Sequence, residues 1–433
     1  MLAPWNVCTD SATWLRSALS CLALAAVLAA CGDDSTPTPA PVSKPPVSYS
    51  LEVLPSTFSE YRRLAELNPA GRESMLEKAI ETLTEDITKD LTNADAYVKR
   101  GAAYTALHYY VGGRDRDESL LEQPLEDFAK AIDLDPSDAG AYIGRGEAYY
   151  YWKQLDRARQ DYDTAIQLLS EAISTNPNDA ETYIARAFAY RLRRDPDKAI
   201  QDLDAAIRLD PGNPEFHYAR ALAYSVKDED ERSLQEYDMV FLLDPNHVHA
   251  YNNRASKYRL MGELDKAIQD YDKIISLNPN FRWAYGNRGE VYNTKGEYDR
   301  AIQDLDRAIA IRPYTAAYRA RAWAYHNKGD YDRAIEDYDT AISSNPSHAQ
   351  TYVDRGDSYY EKGEYDRAIE DYDAAIGLDE NDAYSYYSRG WAYLLLGDVP
   401  KARADLNKAL ELGHDRDEVE DALAELTEME ENG

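Results

Sequence analysis

The sequence predicts an all-α chain in which paired helices stack as a helix-turn-helix solenoid, and three observations predict it. An Arg-small-x-x-Tyr pattern starts at Arg186, Arg220, Arg254, Arg288, Arg321, Arg355 and Arg389, at intervals of 34 residues with one of 33. A fixed period of this length is the mark of a repeat architecture in which each unit packs only on its neighbours. With 433 residues the chain exceeds an ordinary single domain, which a solenoid accommodates without a larger core. The three cysteines, Cys8, Cys21 and Cys31, all precede the repeats, so the body has no disulfide or thiolate metal site and must be held by packing.

Taken in chain order, residues 1–30 come first. Ser17 to Ala30 is an apolar run too short to span a bilayer but suited to the core of a signal peptide. It ends in Leu28-Ala29-Ala30-Cys31-Gly32, which resembles the lipobox of bacterial lipoproteins. The resemblance implies cleavage before Cys31, lipidation of that cysteine, and a protein exported and held at the cell membrane by acyl chains. Gly32, where Asp would favour retention in the inner membrane, points to the outer membrane with the body in the periplasm. Residues 31–50 continue into a Pro, Ser and Thr-rich stretch expected to stay disordered and act as a tether.

Residues 56–92 read as a divergent opening repeat, because Lys78-Ala79-Ile80 precedes Tyr97 by the spacing that separates Lys198-Ala199-Ile200 from His217. Nine repeats then occupy 94–412, the first two starting their pattern at Arg100 and Arg145. The longer intervals there leave room for an insertion near Tyr109 to Leu121 and for about two extra helical turns around Leu168 to Ile173. Residues 415–430 carry Val419, Leu423 and Leu426 at helical spacing, as a capping helix with one apolar stripe would.

Within a unit such as 250–279, Tyr251, Ala255 and Tyr258 mark a first helix, Gly262 the turn, Ala267, Tyr271 and Ile274 a second helix, and Pro279 the end. These residues resemble the tetratricopeptide repeat, and the resemblance implies a right-handed superhelix. The tyrosine four places after each Arg, from Tyr104 to Tyr393, is expected in the core. On the second helix a basic residue and an acid four places on recur, as in Lys198/Asp202 and Arg300/Asp304, which suggests intrahelical pairs. Each first-helix Arg is also matched by an acid on its repeat's second helix, Asp127 through Asp405 with Glu236 as substitute, and a contact within the repeat is expected.

The charge excludes one class of partner: 79 acidic against 48 basic residues leave −31, unsuited to nucleic acid. An acidic surface of this kind is first a solubilising one, though it admits a basic partner. No HExxH, Walker loop or GxSxG elbow occurs, so no enzyme, cofactor or metal site is expected. The Asp-Tyr-Asp triplets place their acids on different directions of a helix, and His247 and His249 are assigned to a solvated turn.

In tetratricopeptide proteins the inner surface is lined by first-helix residues two and one before the Arg and two and five after it. Here these positions supply Ile184, Phe188 and Arg191; Tyr218 and Leu222; Asn252, Asn253 and Arg259; Asn287 and Asn293; Arg319, Trp323 and His326; Asp354 and Tyr360; Tyr387 and Trp391. Rings with scattered amides and guanidinium groups suit protein or peptide recognition. Asn253 and Asn287 resemble a short asparagine ladder that ends at Ala320, and the clamp for a terminal carboxylate is missing, with Tyr218 and Leu222 in its place. The expected function is a lipid-anchored scaffold or adaptor binding envelope proteins of cell-wall or outer-membrane assembly; the alternative is an accessory subunit that gathers a small molecule or glycan for a transporter.

Overall fold

Helix starts and stops recur along the chain as the period requires. Asp138, Asp179, Asn213 and Asp382 cap first helices by accepting from a backbone N–H two residues on. Pro196 and Pro214 sit in a first turn, where no intrahelical N–H is needed. Gly262, Gly296, Gly329, Gly363 and Gly397 end first helices with φ between 74° and 79°, the left-handed conformation that glycine adopts without a Cβ penalty.

The computed structural model describes residues 72–111 and 122–432. The expected signal peptide, Cys31, the linker, the first part of 56–92 and most of the insertion near Tyr109 to Leu121 lie outside the described residues. Every regular element among the described residues is a helix. A lone α1, Arg72–Lys89, is followed by nine hairpins: α2, Ala94–Val111, with α3, Glu122–Leu134; α4, Ala139–Tyr151, with α5, Leu155–Thr175; α6, Ala180–Leu192, with α7, Pro196–Leu209; α8, Pro214–Val226, with α9, Asp230–Leu243. Then come α10, Val248–Leu260, with α11, Leu264–Leu277; α12, Arg282–Thr294, with α13, Tyr298–Ile311; α14, Thr315–Asn327, with α15, Tyr331–Ser344. The series ends with α16, Ala349–Glu361, with α17, Tyr365–Leu378; α18, Ala383–Leu395, with α19, Val399–Glu411; and a last helix α20, Arg416–Asn432. α5 runs 21 residues where α7 runs 14, the two extra turns the sequence suggests. No described helix is long and apolar enough to cross a membrane.

Contacts divide the chain into two units, Met1–Arg254 and Ala255–Gly433. In the first, α1 buries Leu76, Ala79, Leu83 and Ile87 in a cluster with Ala102, Ala106 and Phe128. In the second, α20 buries Val419, Ala422 and Leu426 beside Leu394 and Leu406. Inside each hairpin one large residue of the second helix meets a small one of the first. A Cβ on Gly146 would come within 2.5 Å of the Tyr162 ring, on Gly356 within 2.8 Å of Tyr372, and on Gly289 within 2.8 Å of Leu305.

The fully buried tyrosines are therefore those of the second helices, Tyr162, Tyr237, Tyr271, Tyr338 and Tyr372. This corrects the expectation for the first-helix series, in which only Tyr292 is buried among the described residues and the others are half-buried. Their exposed faces are covered by the basic residue of the second helix: Arg157 over Tyr149 at 5.5 Å, Lys198 over Tyr190 at 5.3 Å, Arg300 over Tyr292 at 4.1 Å and Lys401 over Tyr393 at 4.9 Å. Among the described residues, no ion pair joins Lys198 to Asp202, Arg300 to Asp304 or Lys401 to Asp405. The basic residue turns back to the acid at the helix start, Lys198 to Asp195, Arg300 to Glu297 and Lys401 to Asp398, because its former partner is engaged elsewhere.

Candidate functional site: the inner wall

That engagement orders the repeats. In most hairpins the first-helix Arg lays Nε and Nη2 across both oxygens of a second-helix Asp: Arg145 on Asp161 at 2.8 and 2.7 Å, Arg186 on Asp202 at 2.8 and 2.6 Å, Arg288 on Asp304 at 2.7 and 2.7 Å, whereas Arg220 reaches Glu236 through Nη2 alone at 2.7 Å. This bidentate fork is the planar pairing that guanidinium and carboxylate favour. The third nitrogen, Nη1, reaches back sixteen residues to the preceding repeat: Arg220 to Asp204 at 2.6 Å, Arg254 to Asp238 at 2.7 Å, and likewise Arg288 to Asp272 and Arg389 to Asp373. The two acids of each Asp-Tyr-Asp triplet thus serve two different arginines. Earlier repeats differ, since Arg100 and Arg186 reach only the hydroxyls of Thr84 and Ser170, at 3.1 and 3.0 Å.

With the Arg fixed, the neighbouring first-helix positions are aimed at the opposite side, and the middle residue of the triplet forms a floor beneath them. In the first unit Asn253 donates its amide to the Tyr218 hydroxyl at 2.9 Å and adjoins the Tyr237 hydroxyl. In the second unit the Tyr271 hydroxyl lies 3.4 Å from Ser256 Oγ and beside Asn287, and burial pushes its pKa up to about 12. The two asparagines of the expected ladder are each tied to the floor tyrosine of the repeat before.

Three expected wall residues are placed in the core: Ile184 is 1% exposed, Phe188 1% exposed under Arg191, and Tyr218 3% exposed with its ring 4.7 Å from that of His247. His247 itself is buried, with Nδ1 accepting from the Ala250 N–H at 3.0 Å and Nε2 donating to Glu215 at 3.1 Å. It sits in a packed turn and not the solvated one expected; His249 is half-buried, and no described group of three ligating side chains could hold a metal. Asn252 is half-buried.

The second unit carries the more open wall. Trp323 is 39% exposed and meets the Tyr298 ring edge-on, the ring centres 5.7 Å apart. His326 bonds Ser358 at 3.0 Å through Nδ1, and burial lowers its pKa, so it is neutral at pH 7. Arg319 reaches His348 at 3.2 Å, Tyr360 meets Tyr365 edge-on at 5.5 Å, and Tyr387 stacks on His414 at 4.2 Å and touches Trp391 at 6.4 Å. Glu290 and Asp357, each two residues after its Arg, belong to the same wall; the sequence reading did not single them out, although that spacing points to them. Burial raises the Glu290 pKa, and pushes Asp354 up to about 6 and Asp357 up to about 7. Asp357 nonetheless accepts from the Tyr372 hydroxyl at 2.7 Å and from Tyr384 at 3.1 Å. A surface depression elsewhere is lined by the forked pair Arg288 and Asp304 with Tyr285 and Arg307, not by the wall.

Family models described as tetratricopeptide repeat match residues 168–201, 195–226, 248–281, 287–349, 319–383 and 353–417. The chain belongs to the tetratricopeptide-repeat family. A tetratricopeptide repeat protein from Parabacteroides merdae is 25% identical, over 57% of this chain and 98% of its own, with a TM-score of 0.46. MamA is 30% identical over 36% of this chain and 91% of its own, with a TM-score of 0.34, and PilW, a type IV pilus biogenesis factor, is 17% identical over 46% and 92%, with a TM-score of 0.42. No curated protein matches the sequence. Tetratricopeptide folds generally bind protein or peptide partners and act as scaffolds without chemistry of their own, and this chain is a scaffold suited to protein–protein interaction.

Proposed function

We propose that this tetratricopeptide chain is a lipid-anchored adaptor of the cell envelope, tethered through Cys31 and holding a protein or peptide partner against its inner wall. One observation carries the binding part. The fork arginines and their acids repeat almost unchanged, whereas the wall positions beside them pass through Asn287, Glu290, Trp323, Asp354 and Asp357. A face that scaffolds without packing is free to take up such variety, and exposed Trp with buried polar groups is the composition of an interaction hot spot. The envelope part rests on the lipobox-like Leu28-Ala29-Ala30-Cys31 and the Pro-rich stretch after it. The partners expected are cell-wall or outer-membrane assembly proteins.

Two experiments test it. Growth with labelled palmitate should mark the protein, and Cys31→Ser should remove both the label and the membrane association; retained membrane association without label would sink the anchor. Affinity capture from the organism's own membranes should retain a specific protein on the native chain and lose it on the double variant Trp323→Ala, Asn287→Ala. Equal retention by both chains would show that the wall is not the binding face.

A further inference from the structure

Tyr338 is 1% exposed, yet its hydroxyl makes no hydrogen bond to any described residue. Its equivalents in the same unit are satisfied, Tyr271 by Ser256 and Tyr372 by Asp357, each fifteen residues earlier. At that position Tyr338 finds Trp323, which offers it no acceptor. The residue sixteen later, where Tyr271 has Asn287, is Asp354, already accepting from the Gln350 amide at 2.9 Å. With no protein partner, the oxygen is left for solvent or a ligand to pair. The phenol oxygen lies in the field of Asp354, Asp357 and Arg319.

The charge around it is unbalanced. Asp354 and Asp357 are three residues apart on one face of α16. The cation whose field reaches Asp354 is Arg319, which also faces Glu290 and is held by His348. Among the described residues Asp357 is bonded by two phenols, which donate hydrogen bonds but bring no charge. One repeat earlier, at the place equivalent to Asp357, stands Trp323, the exposed ring of the wall. Carboxylates beside an aromatic face are complementary to an organic cation, which pairs with the former and stacks on the latter.

We propose that the wall of α14, α15, α16 and α18 seats a basic side chain, arginine or lysine, of an extended peptide: Asp354 and Asp357 take its charge, Trp323 its stem, and the Tyr338 oxygen one of its N–H groups. The proposal rests on the peptide-binding reading above and narrows it to a cationic ligand.

The test passes a library of ten-residue peptides, randomised at all positions, over the full chain. Arginine or lysine should be enriched at one position of the retained peptides. In a synthetic copy of a retained peptide, replacing that arginine by citrulline, which keeps the shape and removes the charge, should weaken binding about tenfold or more. Asp354→Asn with Asp357→Asn should weaken the arginine peptide by a similar factor and the citrulline peptide hardly at all, while Glu380→Gln, the loss of an exposed acid elsewhere, changes neither. Because the citrulline comparison uses the native chain, it stands even if the double variant folds poorly. Retained peptides without a basic preference, or citrulline binding as well as arginine, would overturn the cationic seat and leave the peptide reading intact. A library from which nothing is retained would overturn both.

Discussion

Asp304 and Asp272 both receive Arg288, but from different environments: the Asp304 side chain is 8% exposed and that of Asp272 54%. Asp304→Ala leaves the Arg288 fork without its buried acceptor and should cost about 2–3 kcal/mol, whereas Asp272→Ala should cost under about 1 kcal/mol, both read by urea denaturation. Truncating Tyr271, which is fully buried, should cost about 3–5 kcal/mol. Truncating half-buried Tyr258 should cost about 1–2 kcal/mol, the reverse of the importance its regular spacing suggests. Titration gives a further residue-level outcome. Asp354 and Asp357 hold folded pKa values of about 6 and about 7, above the unfolded 3.8, so the folded state keeps protons that the unfolded chain has released between about pH 4 and 7. Their contribution to stability is present at the acid end of that window and lost as pH rises through it. Melting temperature should accordingly fall from pH 5.5 to pH 8, and Asp354→Asn with Asp357→Asn should flatten the fall; an unchanged slope would remove these residues as its cause.

At the level of the helix, the turn from first to second helix requires φ near +75° and is served by glycine in five repeats, while Lys153, Arg194 and Asp228 adopt φ of 57° to 63° there in three others. A side chain in that conformation costs on the order of 1 kcal/mol, so Lys153→Gly, Arg194→Gly and Asp228→Gly should each raise the melting temperature. The helices themselves were legible in the sequence because period, turn glycine and small residue all repeat in register. What the pattern did not disclose is how one side chain chooses among several partners within reach. Lys198 and Arg300 stand four residues from an acid, as an isolated helix would want, but the first-helix Arg presents a planar double donor to that same acid and displaces them onto tyrosine faces. Likewise Phe188 and Tyr218 occupy wall positions by spacing, and are covered because Arg191 and His247 lie over them. The unpaired Tyr338 hydroxyl could be inferred only by comparison with Tyr271 and Tyr372, whose partners the structure shows.

At the level of the chain, the net charge of −31 is spread over repeats whose arginines are already committed to forks, so the surplus carboxylates lie on free surfaces and on the wall. The forks also differ along the chain. From Arg220 onward the link to the preceding repeat runs to a carboxylate, as at Asp204, Asp238, Asp306, Asp339 and Asp373. At Arg100 and Arg186 it runs to a hydroxyl, a weaker bond for a guanidinium. Under mechanical load these links act in series, each carrying the same pull. Drawn out from its two ends, the chain should give way first at the junctions made by Thr84 and Ser170, and a force trace should show early low-force steps that Ser170→Asp moves upward. The soft junctions lie toward the end that bears the proposed membrane tether, so a tug from the membrane would be absorbed by yielding there while the aromatic and acidic wall near Trp323 kept its shape.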